Sequence, residues 1–209
     1  DKVSLFQRSF TVDIFKVIAA QLIVWHHLSG YGPMADAIHA TWPWLIDNLY
    51  RYARIAVQVF LVVGGFLAAQ SVSARPMTRP WASIFKRYLR LVPIYLLAIV
   101  LISITVALAR PAIQGDWLPD APTLGQMGAH ALLMTAQLDY PSLSSGVWYV
   151  AIDFQLYALL ALLTFALRAT RVLSFAVAMI CALSMLWFNR MDELDNWAIY
   201  FFGAYGLGV

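Results

Sequence analysis

Charge is scarce in this chain. Asp, Glu, Lys and Arg make up 12% of its 209 residues, while 62% are hydrophobic. That is roughly half the charge of an ordinary soluble domain, and no stretch is polar enough to form a separate soluble domain. No Lys/Arg run and no basic patch interleaved with aromatics is present, so the net charge of +3 points to basic membrane-flanking loops and not to nucleic acid. The single cysteine, Cys181, sits inside an apolar run and excludes an internal disulfide. No metal-ligand spacing occurs, since the adjacent His26 and His27 diverge on a helix, and no metal is expected. Internal repeats and low-complexity tracts are also missing, which counts against a repeat-built transporter. The chain opens on Asp1 instead of Met and ends at Gly208-Val209 inside an apolar segment, so a longer protein is expected. No small-residue cleavage site follows His26-His27, and Asp13 and Lys16 interrupt the first apolar run, which argues against a cleavable signal peptide.

What the chain has is long apolar runs. A membrane-spanning helix needs about 20 mostly apolar residues, and the sequence supplies six such segments. The expected fold is all-α, a polytopic transmembrane bundle of about six spans forming a single domain over residues 1–209, incomplete at its C-terminus. Residues 1 to 9 are polar and suit an interfacial approach. The first helix is predicted over about 11 to 28, ended by Ser29-Gly30-Tyr31-Gly32-Pro33. Its GYG is read as a turn, because an ion-selectivity filter follows a short pore helix and not a full span. Residues 33 to 54, with Trp42, Trp44, Tyr50 and Tyr52, read as an interfacial loop. A second helix follows from about Arg54 to Ser73, with Gly64-Gly65 as a close-packing point for a crossing helix.

Arg75 to Arg90 carries five basic residues and no acid, which marks a cytoplasmic loop. A third helix is expected from near Arg87 to about Ala109, with Pro93 near its start. The segment 110 to 145 sets Asp116, Asp120 and Asp139 against Arg110 and fits the opposite side. Within it, Leu124 to Leu138 is apolar but short, a re-entrant or interfacial piece, and its His130 reads as structural. Further helices are expected over about 146 to 167 and 172 to 188, joined by a basic turn at Arg168 and Arg171. The acidic 191 to 195 stretch returns outside before a last span from near Trp197. These alternating loop charges give a cytoplasmic N-terminus and place His27 near the outer end of the first helix.

Ionisable side chains inside spans are costly and mark candidate sites. On the first helix the eleven residues from Lys16 to His27 make almost three turns, leaving the two about 20° apart in azimuth and about 16 Å apart along the axis, with Asp13 about 60° from Lys16. His26 points about 100° away from His27. In the fourth expected helix, Tyr149, Asp153 and Tyr157 recur at i, i+4 and i+8 and share a stripe. Asp153 and Gln155 are its polar groups. A carboxylate that orients a histidine is the usual arrangement for a general base acting on a hydroxyl, and Asp153 stands at about the expected depth of His27. Lys86, Arg87 and Arg90 suit the phosphates of a cytoplasmic ligand, although cytoplasmic loops also carry such charges simply to set topology.

Four segments in order carry a resemblance. DIFK-x10-H, from Asp13 to His27, resembles the D-G-L-R-x10-H opening of the acyltransferase family 3 membrane proteins. VFLVVGGFL (59 to 67) is similar to the family's F-F-x-L-S-G-F-L, FKRYLRLVPIY (85 to 95) to its R-R-x-x-R-x-x-P-x-Y, and WYVAIDFQLY (148 to 157) to its W-S-L-x-x-E-x-Q-F-Y. The resemblance covers about residues 10 to 160. It implies an integral membrane O-acyltransferase, with no bound cofactor, that takes an acyl group, often acetyl, from cytoplasmic acyl-CoA to a sugar hydroxyl of a cell-envelope or exported glycan. The bacterial inner membrane is the compartment expected with it. His27 matches the family's essential histidine, Arg87 and Arg90 its basic motif, and Asp153 its glutamate. Lys16 stands in place of its arginine, Gly64 in place of its serine, and Tyr149-Val150 in place of the S-L after the tryptophan.

On that reading His27 and Asp153 are catalytic, and Lys16, Arg87 and Arg90 hold the donor. Asp13, Tyr149 and Tyr157 support them. The reading from another class is a transporter or sensor that uses Asp13, Lys16, His27 and Asp153 as a relay.

Overall fold

The computed structural model describes residues 10–30, 32–73, 77–113 and 118–209. The polar stretch 1 to 9, Tyr31 of the GYG turn, Arg75 of the basic loop and Asp116 lie outside the described residues. Among the described residues no strand occurs, and besides three 3₁₀ turns the regular structure consists of nine α-helices. They are α1 (Phe10–Gly30), α2 (Pro33–His39), α3 (Pro43–Tyr52), α4 (Ala56–Ser73), α5 (Pro80–Ala109), α6 (Leu124–Ala131), α7 (Trp148–Ala166), α8 (Thr170–Leu186) and α9 (Ala198–Gly208).

Three of these helices begin with proline: α2 at Pro33, α3 at Pro43 and α5 at Pro80. Proline at the first helical position removes an N–H that would have no intrahelical partner, and its fixed φ suits the helix. The aromatic-rich 33 to 54 stretch is therefore helical and not a loop. A 3₁₀ turn at Ala53–Ile55 joins α3 to α4, giving a helix of 31 residues from Pro43 to Ser73. Likewise α5 starts at Pro80, seven residues ahead of the expected boundary, so Lys86, Arg87 and Arg90 stand on a helix and not in a loop. Pro93 lies inside α5 without ending it, as membrane helices tolerate where neighbours satisfy the freed carbonyl.

The chain divides into two compact units, Asp1–Val63 and Gly64–Val209. In the first, α1 packs against α3 and the 3₁₀ turn, and α2 packs on α3. His26 fixes that packing. Its Nδ1–H donates to the Tyr50 carbonyl at 2.8 Å, and its ring stacks on the Tyr50 ring with centroids 5.2 Å apart. Ala56 and Leu61 are fully buried here.

In the second unit α7 packs on α5 and α9, and α8 packs on α9. Arg87 and Tyr88 meet Asp153, Phe154 and Tyr157, while Val92, Tyr95 and Ile99 share a cluster with Val147, Val150 and Ala151. Rising numbers on α5 meet falling numbers on α7, so the two helices are antiparallel. Segment 124 to 143 covers the same cluster with Leu133 and Leu143. α6 opens with a capping box of Thr123 and Gln126. It closes in a Schellman turn, with Leu133 N bonded to His130 O and Met134 N to Ala129 O. Leu133 occupies the left-handed position, φ 57°, where glycine is usual. Burial of its side chain in the core offsets a backbone cost of about 1–2 kcal/mol. Apolar segment 124 to 138 thus holds one short helix and turns.

Four helices are long and apolar enough to cross a membrane: 43–73, α5, α7 and 170–190. α1 has the length, 21 residues, but Asp13, Lys16, Gln21, His26 and His27 dilute its apolar character, and α9 is a shorter apolar helix. With these two, six apolar helices stand where the sequence predicts spans, and the structure is all-α as expected. On α5, Ile94, Leu97, Leu101, Ile104 and Leu108 form one exposed stripe at helical spacing, as do Val172, Phe175, Met179 and Leu186 on α8. Apolar rows of this length on the outside suit lipid and not water.

Candidate active site

On α1 the usual amphipathic order is inverted. Ile14, Phe15, Val17, Ile18, Val24, Trp25 and Leu28 are exposed, whereas Asp13, Lys16, His26 and His27 are half-buried beside the fully buried Ala19. A helix in lipid turns its polar side to protein because an unsolvated charge in hydrocarbon is costly. The predicted common face of Asp13, Lys16 and His27 is thus the covered side of the helix. The ring of His26 is committed to Tyr50, and the His27 ring lies 5.3 Å from that of His26, tilted by 59°.

The second unit gathers four of the candidate residues. Arg87 on α5 pairs with Asp153 on α7, Nη2 to Oδ2 at 2.6 Å, with the carboxylate 13% exposed. The guanidinium carbon lies 4.3 Å over the Tyr157 ring, so a charge-assisted hydrogen bond and a cation–π contact hold the same group. Tyr149, one turn before Asp153, stands close by, and its hydroxyl and Asp153 Oδ1 lie 3.9 and 3.1 Å from the place where a side chain on Gly64 would begin. The reason for the helical stripe Tyr149, Asp153 and Tyr157 is now visible: it is the α7 face that receives Arg87.

Sequence reasoning set Arg87 and Asp153 at different depths, the cation inward and the carboxylate outward. They meet directly. Arg87 is seven residues into α5, about 10 Å along its axis, and Asp153 five residues into α7. The antiparallel offset of the two helices makes those depths equal. Lys86 and Arg90 are exposed on α5. Gln155 donates from Nε2 to the Leu133 carbonyl at 3.4 Å, a structural bond that ties α7 to the turn after α6.

His130, read as structural from the sequence, is fully buried. Leu143 N–H can only donate, and it donates to Nε2 at 3.4 Å; Nδ1–H then donates to the Tyr95 hydroxyl at 2.6 Å. Burial lowers its pKa below the ordinary value and keeps the ring neutral. Sequence reasoning missed Tyr205, a phenol in the apolar α9 that is fully buried and stands within the electrostatic reach of Asp153, Arg87, Tyr149 and Tyr157. A phenol amid AIYFFGAYGLG was the available signal.

The first unit thus carries His27 on the half-buried polar side of α1, and the second, described by itself, a largely buried carboxylate–guanidinium pair with Tyr149 and Tyr157 beside it. The family model described as an acyltransferase domain, that of the acyltransferase 3 family, matches residues 10–208 and so runs through both units. No curated protein and no solved structure matches the chain. With nearly the whole chain matched and helices long and apolar enough to cross a membrane, the chain belongs to the acyltransferase 3 family and is an integral membrane acyltransferase.

Proposed function

We propose that this protein moves an acyl group, often acetyl, from cytoplasmic acyl-CoA to a sugar hydroxyl of a cell-envelope or exported glycan. Family membership supports the transfer. The observation that carries the rest is the covered polar face of α1, which keeps His27 with Asp13 and Lys16 away from the lipid-facing row. His27 serves as general base toward the acceptor hydroxyl, or as a transient acyl carrier. In the direct reaction the hydroxyl oxygen attacks the thioester carbonyl carbon. The C–O bond forms, the C–S bond breaks with its electron pair on sulfur, and the hydroxyl proton passes through His27 to the thiolate, giving free CoA.

Lys16, Arg87 and Arg90 supply positive charge for the donor, with Asp153 holding the Arg87 guanidinium in place and Asp13, Tyr149 and Tyr157 in support. Residues 1–209 act as one acyltransferase domain. A bacterial inner-membrane location with a cytoplasmic N-terminus is supported by the basic residues from Arg75 to Arg90 and at Arg168 and Arg171, set against the acidic 191–195 stretch.

Full-length protein in membranes given radiolabelled acetyl-CoA tests the reading. Wild type should pass label to a glycan, and His27→Ala, compared at matched amounts of folded protein, should abolish this. His26→Ala should lower the unfolding temperature, because it removes the bond and stacking to Tyr50. Label transfer unchanged by His27→Ala would sink the assignment. Solute flux without acetyl-CoA consumption would favour the transporter reading.

A further inference from the structure

The face of α5 that carries Val92, Tyr95 and Ile99 into the core continues toward the end of the helix through Ser103, Val106 and Arg110, at spacings of three or four residues. α7 does not follow it. The contribution of α7 to that core comes from its start, at Val150 and Ala151, and the last turns of α5 are covered instead by the irregular segment Pro119–Pro122 and by Leu143. The cover is incomplete. A cavity of about 200 Å³ remains, lined by Ile102, Val106 and Ala107 on one side and by Pro122 and Leu143 on the other, with the exposed Arg110 and Asp120 at one end. Ser103 is occupied elsewhere, its hydroxyl donating to the Ile99 carbonyl at 2.8 Å. An apolar cavity of about 150 Å³ stays dry and takes an apolar guest, so this space suits hydrocarbon and not water.

Depth along α5 gives the guest its chemistry. Arg110 directly follows Ala109, the last residue of a helix long and apolar enough to cross a membrane, and stands where an arginine reaches headgroups. Val106 and Ile102 lie about 6 and 12 Å deeper. A cation above an apolar space matches a phosphate above its acyl chain. Arg110 holds the neighbouring segment with Nη2 alone, which donates to the Pro119 carbonyl and reaches Asp120 Oδ1 at 3.5 Å. Its Nε and Nη1 make no bond among the described residues, and the Asp120 side chain is 99% exposed, free to turn into water. The bilayer itself is at hand, since the opposite side of the same turns carries the exposed row Leu101, Ile104 and Leu108.

We propose that the end of α5 and the segment Pro119–Pro122 bind one phospholipid of the surrounding bilayer, with part of an acyl chain in the cavity and the phosphate on Arg110. The bound lipid fills the space that α7 leaves open and ties the segment to α5. This site is separate from the donor and acceptor of the transfer reaction and does not depend on their identity.

Full-length protein purified in detergent is titrated with dioleoylphosphatidylglycerol, and bound lipid is counted by native mass spectrometry. Wild type should hold one molecule more tightly than any other. Ala107→Leu places a side chain in the cavity and denies the acyl chain the burial of two methylenes or more, so the affinity of that molecule should fall about tenfold. Its lipid-free unfolding temperature should hold or rise, because a void is filled. Arg110→Gln should weaken phosphatidylglycerol about tenfold and leave dioleoylglycerol, which has no phosphate, bound as in wild type. Ile104→Ala, on the opposite side of the helix, should change neither. Unaltered affinity in Ala107→Leu overturns the site, as does a loss that Ile104→Ala reproduces, which marks general contact with the bilayer. Should Ala107→Leu unfold at a lower temperature, Arg110→Gln decides, and wild-type affinity for phosphatidylglycerol in that variant overturns the site. A polyprenyl phosphate that displaces phosphatidylglycerol from wild type at lower concentration overturns the assignment to a bilayer phospholipid.

Discussion

Arg87 and Asp153, 66 residues apart in sequence, meet through a 2.6 Å hydrogen-bonded ion pair between α5 and α7. Both side chains are largely withdrawn from the surface, so neither charge is well solvated if its partner is lost. Removing one member of such a pair costs about 3–5 kcal/mol when burial is complete, and somewhat less here. Arg87→Ala and Asp153→Ala should each lower the unfolding temperature, and the double variant should lose clearly less than the two single losses together. Unfolding of the four proteins in one detergent, followed by tryptophan fluorescence, checks this. Strictly additive losses would mean that the pair contributes no coupling.

Gly65 lies where α4 meets the backbone of α9. A side-chain carbon there would overlap the carbonyl oxygen of Tyr205 and approach Gly208. Backbone cannot swing aside as a flexible side chain can, so Gly65→Ala should destabilise by about 1–3 kcal/mol through overpacking. Gly64→Ala meets Asp153 Oδ1 at 3.1 Å, a side-chain atom that can give by a few tenths of an ångström. Folded yield and unfolding temperature should rank wild type first, Gly64→Ala next and Gly65→Ala last; the reverse order of the two variants would contradict this packing.

The neutral His130 makes stability depend on pH. Its pKa is lowered in the folded protein by burial, from an ordinary 6.5, so below that value the unfolded chain binds the proton more readily than the folded one. The stabilisation is fully present above the unfolded value and is lost as pH falls toward and through the lowered folded value. Between about pH 7.5 and about pH 5 the unfolding temperature of wild type should drop more steeply than that of His130→Gln, which lacks the titrating ring. Parallel curves would show that this buried ring does not contribute the slope.

The amino-acid order by itself determined the class and most of the spans. Scarce charge, long apolar runs and breakers at Gly32-Pro33 leave a helical membrane bundle as the only way to satisfy the backbone in lipid, and the i, i+4, i+8 stripe of α7 was legible from periodicity alone. The segments that misled were 33 to 54 and the start of α5. There, aromatic and basic composition suggested loops, while Pro33, Pro43 and Pro80 at first helical positions had already signalled helix starts. Only the tertiary structure decided that Arg87 reaches Asp153, because depth in a bundle depends on the offset between antiparallel helices, which no local pattern encodes. The same holds for Tyr205. Its ring edge comes to 3.6 Å from where a Gly64 side chain would begin, beside the Asp153 carboxylate, only because α9 packs there, and that meeting of helices is a property of packing in three dimensions.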